Sequence, residues 1–533
     1  MRTVERRAAV SAAAAPVDLT PVIPAARTLT AADLDGLVEE LAAYHAHFAP
    51  LFQRRQQRGW AQVYLRGLLT ADVPRKNVEA LALRLLGAGP DAERTVRALQ
   101  QFLGEGGWDD AAILAAHQRL VDETLGEADG VLIIDGSEVP KQGSHSVGVA
   151  RQWCGHTGKK DNCQAGVYLG YASRRGYTLL GRRLYLPAQW FSDDYRERWR
   201  ACGIPRGTPF RTKHDLAGAL VEELTGDRRV RARWVACDEG YGDSPALLDR
   251  WAATGLWYLA EVARDTRVWC LAAPDGQAAP ARPERWAPPR AAAGKGPAPT
   301  KARLHPASPA PQRVDEWAAR VPAARWRRYR LLEGSKGPLV AEFVAVRAVA
   351  VRERLPGPEG WLLVRRTVPA AGEEAEYKYY LSNAPAETPL GELVRVSGMR
   401  WPIEACFAEG RQELGLDHYE TRSWRGWHHH LTLVLLAHHF LVRLQRRLDP
   451  RGGGRPDGPG AAAVGHSTVG AARHAPAAPA GRAERGRGAR AAAGAAPAAR
   501  LRSRGRAGLA GLPAAAQTGR LPVPPAPPLT ASP

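Results

Sequence analysis

The chain has 533 residues, a formal net charge of +20 and a sequence pI near 10.1. This excess of positive charge favours a polyanionic partner, either nucleic acid or a membrane surface. The longest apolar run, 431–442, contains His438 and His439 and is too short to span a membrane, so we expect no membrane partner. Six cysteines without a paired framework favour a reducing cytoplasm.

The N-terminal part of the chain is predicted to be helical after a short tail. Residues 1–29 are expected to be disordered, and apolar residues recur at helical spacing through 30–127. Arg54, Arg55 and Arg58 lie between predicted helices, which makes a small DNA-binding domain one interpretation. A solvated helical bundle without a ligand is an equally good interpretation, because no clear helix-turn-helix turn is present.

The middle of the chain alternates strand and helix patterns, which predicts an α/β fold with a mixed sheet. The predicted strands are 131–135, 166–172, 177–186, 234–238 and 256–262, and the predicted helices are 213–224 and 244–254. Two of the strands are buried apolar runs that finish in an acid, Asp135 and Asp238. Taken singly, an aspartate at the end of a strand is more often a turn former or a helix cap than a metal ligand.

A third acid, Glu404, lies in a segment with helical spacing. On a continuous helix, Arg400, Glu404 and Arg411 would lie along one stripe, because they are four and seven residues apart. Two strand acids and one helix acid form a set of hard oxygen ligands suited to two Mg²⁺ or Mn²⁺ ions about 3.5–4 Å apart. A surface helix with ordinary salt bridges would explain the charged stripe alone.

The remaining segments flank this acidic constellation. We expect 272–313, rich in Pro and Ala, to be a flexible insertion, and 314–385 to be a β-rich insertion. A helix is predicted for 428–448, in which the three consecutive histidines point in different directions and serve the core or face DNA. Residues 449–533 have too few large apolar side chains to fold and resemble a frameshifted reading of GC-rich DNA.

Three blocks carry a resemblance to a known family: 134–143, 237–242, and 400–404 with its extension to 415–420. Their order resembles the DDE transposases of bacterial insertion sequences, whose catalytic core is RNase H-like. The resemblance implies that 128–448 is such a catalytic domain. In the most similar branch the glutamate helix carries a Tyr–Arg–Glu–Lys signature. Here Arg400 and Glu404 match it, whereas Ser397 stands at the Tyr position and Arg411 at the Lys position.

The resemblance also implies an activity and a site. The protein would bind the ends of its element as double-stranded DNA, cleave a strand and transfer it to target DNA. Asp135, Asp238 and Glu404 would be both the catalytic residues and the ligands of two Mg²⁺ or Mn²⁺ ions. The resemblance further implies a homodimer on DNA and a cytoplasmic, nucleoid-associated location.

Four basic residues are predicted to contact DNA phosphates. They are Arg400, Arg411, Lys141 in the first block, and Arg151, which is interleaved with Trp153.

Several alternatives remain open at this point. The chain could be an RNase H-like nuclease without strand transfer, a catalytically inactive transposase remnant, or a DNA-binding regulator. Within the site, Glu239 or Glu409 could replace one of the three proposed metal ligands.

Overall fold

The structure is a computed structural model that describes residues 17–18, 36–278, 281–286, 301–334, 337–369 and 373–448. The predictions for 1–16, 19–29 and 449–533 lie outside these residues. Within the described ranges, no helix has both the length and the apolar character needed to cross a membrane.

The described residues form thirteen α-helices and short 3₁₀ segments at 49–51, 188–191, 193–195 and 323–325. In chain order the helices are α1 Leu37–Ala46, α2 Arg55–Leu69, α3 Val78–Leu86, α4 Ala92–Gly104, α5 Asp110–Leu125, α6 Arg196–Ala201, α7 Lys213–Gly226, α8 Glu239–Gly242, α9 Pro245–Ala253, α10 Val314–Ala318, α11 Leu390–Gly398, α12 Pro402–Leu414 and α13 Trp424–Leu448.

Fifteen strands accompany them, of which thirteen belong to one sheet. They are β1 Val17–Asp18, β2 Val131–Pro140, β3 Ala150–Cys154, β4 Lys159–Ser173, β5 Gly176–Tyr185, β6 Trp234–Cys237, β7 Trp257–Val262, β8 Arg267–Cys270, β9 Arg285–Trp286, β10 Arg303–Leu304, β11 Gln312–Arg313, β12 Arg327–Gly334, β13 Gly337–Arg352, β14 Leu355–Thr367 and β15 Tyr377–Ser382.

The centre of the large sheet has the predicted RNase H-like arrangement. The strands lie in the order β5-β4-β2-β6-β7, in which β4 is antiparallel to both β5 and β2, whereas β2, β6 and β7 are parallel to one another. Two of the strands are longer than predicted, because β2 continues five residues beyond Asp135 and β4 begins seven residues before 166. Strand β3, which the sequence did not predict, extends the outer edge of β4.

A second group of strands continues the same sheet beyond β7. The predicted strands of 314–385 are present as the antiparallel series β12 to β15, and β15 pairs with β7. The expectation of a flexible 272–313 is wrong for its described residues, because β11 pairs with β8 and β9 pairs with β10. Tryptophans anchor this part: the Trp269 indole donates to the Pro309 carbonyl at 2.7 Å, and Trp317 donates to Ala272 at 3.2 Å.

The N-terminal helices share a hydrophobic core with the C-terminal helix α13. Phe52 and Trp108, from the N-terminal part, lie in the same buried cluster as Trp427 and Leu431 of α13. Local signals explain these helices, since Asn77 caps α3 and Asp109 caps α5 through their side-chain oxygens. Packing of helices α2, α4 and α5 against α13 fixes the N-terminal region on one face of the sheet.

Candidate active site

Three acids lie side by side on three adjacent parallel strands. Strand pairing aligns one residue from each of β2, β6 and β7, namely Ile134, Cys237 and Ala260. The residue after each of these is Asp135, Asp238 or Glu261, and Asp238 directly follows the last residue of β6 and caps α8. Because the residues before them are paired on parallel strands about 4.8 Å apart, the three acids stand at adjacent positions, and we call them the acid row.

The sequence predicted two members of the acid row and missed the third. Glu261 is 9% exposed and lies in β7, which is otherwise apolar except for the tyrosine hydroxyl. A single carboxylate inside a buried strand was the signal that could have identified it, because such a charge is costly unless it is paired.

Burial and mutual repulsion disfavour the ionised form of the predicted aspartates. Desolvation, followed by the neighbouring charge of Asp238, raises the pKa of Asp135 to about 8. Desolvation likewise raises the pKa of Asp238, whose Oδ1 accepts a bond from the Tyr241 amide at 3.3 Å. Buried carboxylates that repel each other are a typical feature of functional sites, and a cation between them would relieve the repulsion.

The helix that carries Glu404 is not continuous with Arg400, in contrast to the prediction. Helix α11 ends at Gly398, and α12 begins at Pro402, which has no amide hydrogen and is favoured at a first helical position. Arg400 therefore lies in the link between two helices. Its Nη2 still donates to Glu404 Oε1 at 2.8 Å, so the predicted pair is present in a different backbone geometry.

Arg400 contacts most of the acids in the site. Besides Glu404, its Nη1 lies 3.9 Å from Asp135 Oδ2, and its Nε lies 3.8 Å from Glu261 Oε2. The Arg400 side chain is only 18% exposed. Burial would lower the pKa of this guanidinium, but the carboxylates around it, Glu404 foremost, raise it. A permanent positive charge therefore lies among these three carboxylates.

Helix α12 is held close to the sheet by apolar contacts and by Arg411. Phe407 packs edge-on against Tyr168 of β4, with 5.2 Å between the ring centroids. Arg411 Nη2 donates to the Ser137 hydroxyl at 2.6 Å, two residues beyond Asp135 on β2. Ser397, at the Tyr position of the signature, instead donates its hydroxyl to the Val394 carbonyl within α11.

The carboxylates have the right chemistry for a divalent metal but are not assembled as a ligand set. Within the described part of the chain, no three His, Cys, Asp or Glu side chains are grouped so that they could hold a metal ion. Asp135 and Asp238 supply hard oxygen donors at adjacent positions, which fits Mg²⁺ or Mn²⁺. Glu404 is paired with Arg400, so it would have to change partner to complete the site.

The two alternative acids are placed differently. Glu409 accepts a bond from the Tyr177 hydroxyl at 2.7 Å and contacts His438 Nε2 at 2.9 Å, which commits it to the packing of α12 against α13. Glu239 begins α8 beside Asp238, and its pKa is raised by burial and then by Asp243 and Glu261. Glu239 therefore lies near the acid row, whereas Glu409 is held in a separate network.

The two remaining basic candidates also differ in their surroundings. Lys141 donates to the Tyr419 carbonyl at 3.1 Å and lies over the Tyr419 ring, and burial lowers its pKa to about 8. It therefore stabilises a loop in this structure. Arg151 is exposed on β3, beside Trp153, which is 57% exposed.

The three consecutive histidines of α13 are core residues, as one of the two predicted roles proposed. His428 contacts the Trp424 carbonyl, His429 contacts the Leu103 carbonyl, and His430 contacts both the Tyr64 hydroxyl and the Gly415 carbonyl. They connect the C-terminal helix to the N-terminal helices and to the end of α12.

Comparison with known proteins places these features in a family. The sequence profile of the DDE superfamily endonucleases matches residues 47–338, which include the acid row and end before Glu404. Among the solved structures with similarity is the cryo-EM structure of the piggyBac transposase synaptic complex with hairpin DNA, with 11% identity, a TM-score of 0.33 and coverage of 78% of each chain. No curated protein matches the chain. Because the family match covers more than half of the 533 residues, the chain belongs to the DDE superfamily of endonucleases.

Proposed function

We propose that this protein is a DNA transposase that cleaves the ends of its own element and transfers the freed strand to target DNA. The observation that carries the proposal is that Asp135 and Asp238 lie side by side, partly buried and with raised pKa values, opposite a helix that bears Glu404. Membership of the DDE superfamily supports an endonuclease activity.

Asp135, Asp238 and Glu404 would bind two Mg²⁺ or Mn²⁺ ions. When bound, such ions activate the attacking oxygen and stabilise the leaving oxygen in phosphoryl transfer. Arg411 would position a phosphate beside Asp135, because its guanidinium already reaches the Ser137 hydroxyl on the same strand. Arg400 would contact a further phosphate once Glu404 turns to the metal.

The hairpin formed by β3 and β4 offers a surface for DNA. The exposed Trp153 is paired across the two strands with Lys160, and Arg151 lies two residues before it on the same face. An aromatic ring between basic side chains is suited to a base or sugar flanked by phosphates. The net charge of +20 provides a general attraction to the same partner.

The resemblance to DDE transposases adds three features to this proposal. It implies a homodimer on double-stranded DNA, recognition of both element ends and target DNA, and a cytoplasmic, nucleoid-associated location.

The experiment is a cleavage and strand-transfer assay with the full chain. DNA from both flanks of the gene, which the proposal expects to carry terminal inverted repeats, is incubated with the protein and Mg²⁺ or Mn²⁺, and both nicked and joined products are measured. Asp135→Asn or Asp238→Asn should lower cleavage by roughly a hundredfold or more, because each removes a metal-binding charge. Binding of end DNA, measured by gel shift, should persist.

The matched control is Asp249→Asn, which removes an exposed carboxylate of α9 paired with Arg352. It should leave cleavage unchanged. Undiminished cleavage by either acid-row variant would refute the site. Cleavage without joined products would instead identify a nuclease that lacks strand transfer.

A further inference from the structure

The acid row faces two cations of the protein itself. Lys378 Nζ, on β15, donates to Glu261 Oε1 at 2.8 Å. Arg400 approaches from the link between α11 and α12 and contacts Asp135, Glu261 and Glu404. The site therefore contains four carboxylates and two positive charges, and it is open to solvent on the side of Glu404, whose side chain is 47% exposed.

The contacts of Arg400 are uneven. Among the residues that the structure describes, its one hydrogen bond is to Glu404, whereas Asp135 and Glu261 lie 3.8–3.9 Å from its nitrogens. The guanidinium keeps its positive charge at any ordinary pH, so this charge can leave the site only if the side chain moves. A divalent cation held between Asp135 and Glu404 would lie beside this guanidinium and be repelled by it, so the two cations compete for the same carboxylates.

Glu261 has an unused hydrogen-bonding position that faces Arg400. Its Oε1 is bonded to Lys378, but its buried Oε2 accepts no hydrogen bond among the residues that the structure describes. Arg400 Nε lies 3.8 Å from that atom, so a movement of about 1 Å would create a charge-assisted hydrogen bond. An unsatisfied buried carboxylate oxygen is costly, and this movement would remove the cost.

We propose that Arg400 is the cation that balances the charge of the acids before metal binds. When metal replaces Arg400 at Asp135 and Glu404, the Arg400 guanidinium moves to Glu261, which is therefore a positioning residue. This inference rests on the proposed metal-dependent function. It assigns Glu261 an indirect role, because Lys378 already neutralises this carboxylate and its free oxygen is nearest to Arg400. A direct metal-binding role for Glu261 is the competing interpretation.

The test measures binding of Mn²⁺ alone to the full chain by titration calorimetry, without DNA, so that activity is not the readout. Arg400→Gln should tighten Mn²⁺ binding about tenfold, because the competing charge is removed while a polar side chain remains. Removing Glu261 together with Lys378, as Glu261→Gln with Lys378→Met, keeps the net charge constant. This pair should weaken Mn²⁺ binding about tenfold, because Arg400 loses the acceptor to which it moves.

The two changes are then combined. If Glu261 acts through Arg400, removing the pair in the Arg400→Gln background should change the Mn²⁺ affinity by less than about twofold, since interacting residues are not additive. If Glu261 is itself a ligand, the loss will be as large with Arg400 absent as with it present. That result would overturn the proposal.

Two controls separate failure of this inference from failure of the proposed function. The first control removes another ion pair without changing the net charge: Asp249→Asn with Arg352→Met should leave Mn²⁺ binding unchanged. The second control is Arg400→Lys, which keeps a cation at this position and is used if Arg400→Gln folds poorly. If the parent chain does not bind Mn²⁺, or if Asp135→Asn does not weaken its Mn²⁺ binding, the proposed function is wrong. If it does bind but Arg400→Gln binds no more tightly, only the inference about Arg400 is wrong.

Discussion

Mild acid should destabilise this protein steeply, because three buried histidines are uncharged in the folded chain. Burial lowers the pKa of His117 and His429 to about 4 and that of His430 to about 3, from an ordinary 6.5. His430 Nε2 donates to the Gly415 carbonyl at 3.1 Å, so in a neutral ring Nδ1 accepts from the Tyr64 hydroxyl at 2.9 Å, and both contacts suit the uncharged form. The folded chain therefore resists protonation at these sites.

The magnitude and its sign follow from proton linkage. Below pH 6.5 the unfolded chain binds protons at these histidines that the folded chain does not, so their contribution to stability is complete above about pH 7 and is lost as the pH falls toward 4. The raised pKa of Asp135 acts in the opposite direction and offsets part of this loss. At pH 5 each of the three histidines lowers the free energy of unfolding by about 2 kcal/mol, or about 6 kcal/mol together. This is comparable with the whole stability of a typical domain, about 5–15 kcal/mol.

The assay is thermal unfolding in metal-free buffer from pH 8 to pH 4.5. The melting temperature should fall sharply below pH 6, and amide hydrogen exchange should show α13 opening together with the N-terminal helices that it contacts. His430→Gln cannot be protonated in this range, so it should make the dependence shallower by about one proton. The exposed His156→Gln should not. Equal melting temperatures at pH 7 and pH 5, or an unchanged slope for His430→Gln, would refute the reasoning.

Four further predictions concern DNA cleavage and DNA binding. Glu404→Gln should lower cleavage by roughly a hundredfold while end binding persists, and an active variant would exclude Glu404 as a metal ligand. Arg411→Ala should reduce cleavage strongly, whereas Arg411→Lys should cleave within about tenfold of the parent rate, a difference near 1.4 kcal/mol in activation free energy. Equal cleavage rates for the parent and the alanine variant would show that Arg411 does not position a phosphate. Trp153→Ala should weaken DNA binding about tenfold, whereas the control Val38→Ala, at another exposed apolar residue, should leave binding unchanged. DNA binding should also weaken steeply as the salt concentration rises, and an affinity that does not depend on salt would contradict the proposed phosphate contacts.

The strands of the central sheet could be predicted because each is a short apolar run bounded by turn residues. The same pattern located Asp135 and Asp238, since an acid that follows such a run stands out. The predicted end of β2 at Asp135 was wrong, because the strand continues to Pro140 on antiparallel pairing with β4. It is the parallel pairing with β6 that stops beside Asp135, and no local sequence signal encodes where a partner strand ends.

Glu261 was missed for a related reason. Its importance depends on strand register: the pairing of Cys237 with Ala260 places it level with Asp238, although the two are 23 residues apart in sequence. Strands β3 and β8 were missed because both are short and carry exposed polar residues, so their alternation is weak. Pairing with β4 and β13 stabilises them, and this tertiary contribution cannot be derived from local propensity.

The link before Pro402 explains why the ion pair between Arg400 and Glu404 was predicted correctly although the predicted backbone, a continuous helix, was wrong. Residues four apart on a helix lie above one another, so a continuous helix predicts a contact between Arg400 and Glu404 along its surface. The structure makes this contact with Arg400 outside the helix, because α12 begins at Pro402 and α11 has already ended. A side chain on a helix surface would be confined to that surface, whereas one in the link can extend between the helix and the sheet. The same break that spoils the predicted stripe therefore allows Arg400 to contact Asp135 and Glu261 as well, and it turns a surface ion pair into the central positive charge of the acidic site.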